Sequence, residues 1–416
     1  MVKTATLTIR AALCGILITL VACTREVPPI PRLHWYVFDE PSGAFAEAAQ
    51  NCTRESNGRY DIVLALLPSD ADQQREQVVR RLAARDAGVD IIAMDVIWTA
   101  EFAEASWIRP WEGEHARRAQ AGRLGSAIES ASYRQQLWAA PFTTNAQLLW
   151  YRTDRIRIPP ATWDEMIQMA ERLGERGTIV TQGERYEGLT VFFVALLASA
   201  GGSVLSPDSR SVSLEAEPTR RALEIMRRLA TSPAADPALS TAREDQARRG
   251  FESGHASFML NYTYVWPSAR ANAPEIAKHM SWARWPAVIR GKPSRVTIGG
   301  VNLGIGAYSR HPALAFEAAA CLASAPHQRL AAARGGLPPT IAALYDDEAI
   351  RKTFPFAEAL RASLRDAVQR PQTPLYADVS LAIAHTLHPM RAIDPVKDTE
   401  RLRKAVGRAL RSEGLL

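Results

Sequence analysis

"DIIAMDVIWTAEFAEASWIRPW" occupies residues 90–111. It opens with the unbroken apolar run Ile91, Ile92, Ala93, Met94, as a strand covered on both faces requires. Asp95 stands where that strand ends, and Trp98, Trp107 and Trp111 follow within sixteen residues. Working outward toward the N-terminus, "YDIVLALL" (60–67) and "LHWYVF" (33–38) are two further strands. Between them "SGAFAEAAQNCTRES" (42–56) reads as a helix capped by Ser42. "SDADQQREQVVRRLAAR" (69–85) reads as a helix opened by Ser69 and Asp72, with Val78, Val79 and Leu82 on one side. This β-α-β-α-β order argues for an α/β fold with a parallel sheet and helices on both faces.

Downstream, "TWDEMIQMAERL" opens with Thr162 and has Glu165 three residues on, a capping box. "PTRRALEIMRRLA" (218–230) has proline in its first turn. "AREDQARRGFESG" (242–254) closes on Gly254 as a C-terminal glycine, and "ASFMLNY" (256–262) returns as a strand. Three stretches break the alternation: "APFTTNAQLLWYR" (140–152), "RVTIGGVNLGIG" (295–306) and "RGGLPPTIAAL" (334–344). Read as crossings between two lobes, they divide the chain into lobe one (33–144 and 300–337) and lobe two (146–298 and 338–416). Each lobe is expected to hold a mixed, mostly parallel sheet flanked by helices.

The 416 residues, 47% hydrophobic and 23% charged, suffice for more than one core. Lys3 and Arg10 precede an apolar run from Ala11 to Ala22, too short for a bilayer span of about 20 residues and typical of a signal peptide over 1–22. "LVAC" (20–23) resembles a bacterial lipobox, which implies cleavage before Cys23 and a lipid on its sulfur. Residues 23–32 then form a proline-rich tether, and the protein is expected outside the cytoplasm, anchored to the outer face of the cell membrane. Removing the leader leaves 48 basic against 44 acidic residues, net +4. "RLRKAVGRALR" (401–411) fits the wet face of a terminal helix, and no nucleic-acid partner is expected. Cys52 and Cys321 remain after processing, either as a disulfide or as two buried thiols.

"RRGFESGHASFML" (248–260), with Phe251, Gly254 and Ala256 in an F-x-x-G-x-A pattern, joins the lipobox and the crossings. Together they resemble the family 1 sugar-binding lipoproteins of ABC transporters. "MDVIWTAEFAEA" (94–105), "TTNAQLLWYR" (143–152), "SAGGSVLS" (199–206), "VTIGGVNL" (296–303), "GGLP" (335–338) and "RPQTPLY" (370–376) are similar to the trehalose-binding lipoproteins of mycobacteria. The resemblance implies a two-lobed periplasmic-binding-protein fold with three inter-lobe crossovers. It also implies a monomer that carries a disaccharide, trehalose or a close analogue, to permease subunits in the membrane.

The resemblance places Asp95, Asn145, Glu252, Gly299, Gly300 and Arg370 at the ligand, with Tyr262, Tyr376 and Gln74 as further contacts. The chemistry suits a sugar. Carboxylates accept from hydroxyls, an amide both donates and accepts, and guanidinium offers a fixed fork of donors. Local alternatives stand beside each role: Asp95 as a helix cap, the tryptophans as core, Asn145 as a hinge residue, Glu252 as a surface helix acid, the glycines as a turn. Where the mycobacterial relatives have Asn-Trp after the strand, this chain has Asn261-Tyr262. That keeps a ring but loses indole area. No G-x-S-x-G, H-E-x-x-H or Walker A pattern occurs, so no metal and no cofactor is expected, and the protein is expected not to be an enzyme. The rivals are a surface-anchored glycosidase using Asp95 and Glu252, and a receptor for maltose-like oligosaccharides or a sugar phosphodiester.

Overall fold

The structure is a computed structural model that describes residues 30–68 and 71–413. The signal segment, Cys23 and Ser69 lie outside the described residues. The strands are β1 (Arg32–Phe38), β2 (Asp61–Leu67), β3 (Ile91–Asp95), β4 (Ser132–Tyr133), β5 (Gln136–Leu137), β6 (Ala139–Asn145), β7 (Leu148–Arg152), β8 (Thr178–Val180), β9 (Ala256–Asn261), β10 (Met280–Ala283) and β11 (Gly299–Ile305). They build one sheet ordered β2-β1-β3-β11-β6, a second ordered β10-β7-β9-β8, and the small hairpin β4-β5. These two large sheets, flanked by helices, make the two lobes of a periplasmic-binding-protein fold.

Parallel pairing is rarer than expected. β1 runs parallel to β2 and β3, but β11 is antiparallel to both β3 and β6. In the second sheet only β8 and β9 are parallel. β11 re-enters the first sheet from the other lobe, so it has no crossover helix to make it run with its neighbours.

Each sheet has its own core. One cluster runs from Leu33 to Phe142 and resumes from Leu303 to Ala331. At its centre Trp35, Phe45 and Phe142 meet at ring separations of 5.2–6.0 Å. The other runs from Ala146 to Ile298 and resumes from Ala332 to Ala409, around Trp163, Phe192 and Trp285. Fully burying each such ring contributes about 1.5–3 kcal/mol. The tryptophans after Asp95 belong to the first core: Trp98 stacks on Phe102, Trp107 meets Phe102 edge-on, and Trp111 packs on Phe316.

Local signals act as the chemistry requires. Thr162 Oγ1 accepts from Glu165 N at 3.2 Å, and Glu165 Oε2 accepts from Thr162 N at 3.2 Å. Gly254 takes φ 80°, the left-handed conformation of a helix stop. The helix over Ala44–Glu55 starts differently from expectation. Gly43, at φ 76°, is its N-cap, and Ser42 Oγ only accepts from Ala44 N at 3.3 Å.

The chain passes between cores after Asn145, before Gly299 and near Ala331. These passages are pinned to one another. Buried Thr263 donates to Asn145 Oδ1 at 3.4 Å and to the Gly336 carbonyl at 3.3 Å as alternatives for one hydroxyl. Buried Gln328 accepts from Thr340 N at 2.7 Å and donates to the Ala323 carbonyl at 2.9 Å. Gly300, at φ 132°, lies so close to β6 that a Cβ would sit 2.3 Å from the Thr143 carbonyl oxygen, so no other residue fits. Cys52 and Cys321 are joined as a disulfide, with Cα atoms 5.9 Å apart, tying the helix Ala44–Glu55 to the helix Pro312–Leu322. Among the described residues no helix is long and apolar enough to cross a membrane.

Candidate ligand-binding site

A cleft of about 730 Å³ opens between the two sheets. The first lobe contributes Asp95, Trp98 and Asp72; the passages contribute Asn145, Gly299 and Gly300; the second lobe contributes Tyr186, Glu187, Glu244, Tyr262, Tyr264 and Arg370. The site thus forms beyond strand ends, where an open α/β sheet leaves room for a ligand.

Asp95 does two things at once. It ends β3, and its Oδ1 accepts from Ile97 N at 3.1 Å, capping the short turn Val96–Trp98. The same oxygen accepts from Arg370 Nη2 at 3.2 Å, which joins the two lobes across the cleft. The cap reading and the cleft reading are therefore both met in one carboxylate.

Glu187 is one of the cleft residues that sequence reading missed, with Tyr186 and Glu244. It opens the helix Glu187–Ser199, whose every later residue is buried. An acid at a helix N-terminus is favoured by the macrodipole, and a helix buried all round carries that acid below the surface. Its Oε1 accepts from Arg370 Nη1 at 2.7 Å and from the Tyr376 hydroxyl; its Oε2 accepts from Ser380. Burial raises its pKa above the usual glutamate value, opposed by Arg370 and the two hydroxyls. The signal available in the sequence was "YEGLTVFFVALLAS" (186–199), one acid at the head of an apolar run too continuous for a surface helix.

Arg370 is buried between these two acids. Burial works against its charge, but Asp95 and Glu187 outweigh it and hold the guanidinium above its ordinary pKa. Its Nε is buried without a hydrogen bond. Tyr376 sits behind Arg370, ring centroid 5.9 Å from the guanidinium carbon, and supports Glu187 rather than lining the cleft.

The aromatic walls are three tyrosines and Trp98. Tyr262 lies beside Gly299, and burial raises its phenol's pKa. Tyr186 folds back over Gly188, where a Cβ would fall 2.2 Å from its hydroxyl, and Arg243 lies over its ring at 4.7 Å. The Tyr186 hydroxyl is buried beside Glu244, and its pKa is raised by burial first and by that carboxylate second. Glu244 nearby is also raised by burial.

Two further expectations are corrected. Glu252 does not reach the cleft. Its carboxylate accepts from Arg248 Nη1 and Ser268 Oγ, both at 2.6 Å, at the far end of the helix Glu244–Glu252. The cleft receives the N-terminal end of that helix, so Glu244 faces it instead. Gln74 is buried in the helix Ala71–Ala83, and it is Ala71 and Asp72, one turn earlier, that line the cleft.

The comparisons with known proteins agree with this geometry. The family described as "Bacterial extracellular solute-binding protein" matches residues 53–329. A probable ABC transporter-binding protein of Deinococcus radiodurans is 29% identical over 325 residues, which cover 75% of this chain and 76% of that protein. Maltose-bound MalE3 of T. maritima superposes with a TM-score of 0.81 at 25% identity, covering 90% of this chain and 98% of that one. A solute-binding protein of Thermotoga lettingae bound with α-D-tagatose superposes with a TM-score of 0.80 at 20% identity, covering 91% and 100%. The chain belongs to the bacterial extracellular solute-binding proteins of ABC transporters, and it is a binding protein rather than an enzyme. The acid pair Asp95 and Glu252 on which the glycosidase alternative rested does not form, since Glu252 is not in the cleft with Asp95.

Proposed function

We propose that this member of the solute-binding family captures a neutral disaccharide, trehalose or a close analogue, and hands it to permease subunits in the membrane. One observation carries the reading. Hydroxyl-binding groups from both lobes and from the passages between them converge on a single cleft: Asp95, Asn145, Glu187, Glu244 and Arg370, with Tyr186, Tyr262 and Trp98 as ring surfaces. About 730 Å³ falls within the usual 300–1,000 Å³ of small-ligand pockets.

The charge balance favours a neutral sugar over a phosphodiester. Asp72, Asp95, Glu187, Glu244 and Asp245 face Arg243, Arg249 and Arg370, so acids outnumber bases. Asp95 and Glu187 already neutralise Arg370. A sugar hydroxyl fits between them as donor to a carboxylate and acceptor from the guanidinium. Asn145 and the backbone at Gly299 and Gly300 complete the contacts from the passages. Hinge closure of the two lobes about those passages then presents a joined surface to the permease.

The test is a thermal-shift screen of unmodified disaccharides, followed by titration calorimetry. Trehalose at 100 times its dissociation constant should add about 2.7 kcal/mol of stability. Stabilisation by maltose and not by trehalose replaces the ligand but keeps the site; no response to any neutral disaccharide overturns the proposal. Anchoring through Cys23 belongs to the same proposal, and Cys23→Ser should release the mature protein from membranes. Retention of that variant in the membrane fraction counts against the anchor alone.

A further inference from the structure

A second cavity, of about 620 Å³, lies in the first lobe, away from the cleft. Arg123 lines it. Its Nη2 donates to the Ala323 carbonyl at 2.7 Å, while its Nε is buried without a hydrogen bond. Among the described residues no carboxylate stands near enough to offset its charge. Burial alone pushes the guanidinium down to about 10, so it is still charged at neutral pH. A half-buried cation without a counter-charge is costly to keep.

The surroundings carry more positive than negative charge. Arg118 lines the same cavity, and it shares Glu114 with Arg117. Glu317 is engaged by Arg59, which leaves Glu55 as the one acid on the wall without an arginine. Ser324, just ahead of the helix Ala325–Gly335, adds a hydroxyl to the wall. Arg123 is also held rigidly. It bridges to Ile341 across the third passage between the lobes, and Leu124 N donates to the Thr340 carbonyl at 2.8 Å.

We infer that this cavity is a binding site for an oxyanion, a phosphate or carboxylate group, received by Arg123 and Arg118 beside the third passage. A fork of guanidinium donors matches such a group. The volume exceeds what a bare ion fills, so the group is expected on a small organic molecule. The site is separate from the cleft and does not depend on which sugar the cleft takes.

The experiment uses the full mature chain. Sodium phosphate and sodium acetate, each compared with sodium chloride at equal ionic strength, are titrated while the melting temperature and the heat of binding are followed. Phosphate should raise the melting temperature of the wild type in a saturable way. Arg123→Gln should abolish that response, and Arg118→Gln, which leaves the Arg123–Ala323 bond in place, should weaken phosphate binding several-fold. A response to acetate as well extends the site to carboxylates; a response to phosphate alone restricts it to phosphoryl groups. No saturable response in the wild type overturns the inference, and so does an equal response in both variants, which would mean an adventitious ion effect only. If Arg123→Gln does not fold, the Arg118→Gln titration decides by itself, an unchanged affinity counting against the site.

Discussion

Arg370 and Arg123 are both withdrawn from solvent, one in each lobe, and their surroundings are opposite. Arg370 lies between Asp95 and Glu187, with hydrogen bonds of 3.2 and 2.7 Å, and its charge is favoured there. Arg123 has one backbone carbonyl and no acid, and its charge is disfavoured. The difference teaches how to read a buried cation. A compensated one is part of a built network that ties two lobes together. An uncompensated one is a local cost that persists beside an open cavity.

The largest expected effect is at the compensated end. Arg370→Ala leaves two acids facing each other without a cation. It should cost about 3–5 kcal/mol of stability in urea unfolding, the usual price of removing one partner of a buried pair. It should also weaken sugar binding by roughly 10- to 150-fold in calorimetry, from lost hydrogen bonds of about 1.5–3 kcal/mol. Retention of wild-type affinity would move the ligand elsewhere.

Glu187 sharpens the same end through pH. Its folded-state pKa is raised, so between the ordinary glutamate value and that raised value the folded state holds more protons than the unfolded one. Its contribution to stability is therefore greatest below the ordinary value and is lost as pH rises through the folded one. Glu187→Gln should flatten this part of the profile, and urea midpoints measured from pH 4 to pH 8 give the check.

At the uncompensated end the effect should be small. Arg123→Met, measured in chloride alone, removes a poorly solvated charge and one hydrogen bond. These oppose each other, so stability should change by no more than about 1 kcal/mol. A loss as large as that of Arg370→Ala would abolish the contrast between the two arginines. The smallest effect concerns a third arginine, Arg248, and its acid. Glu252 and Arg248 are compensated but lie off the cleft. Glu252→Gln should leave sugar affinity within about twofold of wild type, as independent sites do.

Much of the architecture was legible from residues 33–95, where strand and helix periods alternate cleanly. The capping box at Thr162 and the glycine stop at Gly254 were readable because their chemistry is local. Asp95, Asn145, Gly299, Gly300, Tyr262 and Arg370 were singled out by the family resemblance; strand-end or crossover position supported all of them except Arg370. Glu252 was placed in the cleft by the resemblance; its position at the C-terminal end of its helix was legible, but which end of that helix meets the cleft was not. Which end meets the cleft depends on how the helix docks on β9, and Glu244 took the place. Glu187 was missed for a related reason, since its partners Arg370, Tyr376 and Ser380 lie more than 180 positions away. The direction of β11 in the first sheet was equally hidden, because re-entry from another lobe leaves no period in the sequence.

The bond between Cys52 and Cys321 spans 269 positions and encloses two of the three passages between the lobes. Covalently, the oxidised protein is a large ring with two tails. A single protease cut anywhere inside the ring opens it without releasing a fragment, and only reduction separates the two pieces. The ring also orders maturation. It cannot close until the chain has been made as far as Cys321, by which point the whole stretch between the first two passages already exists.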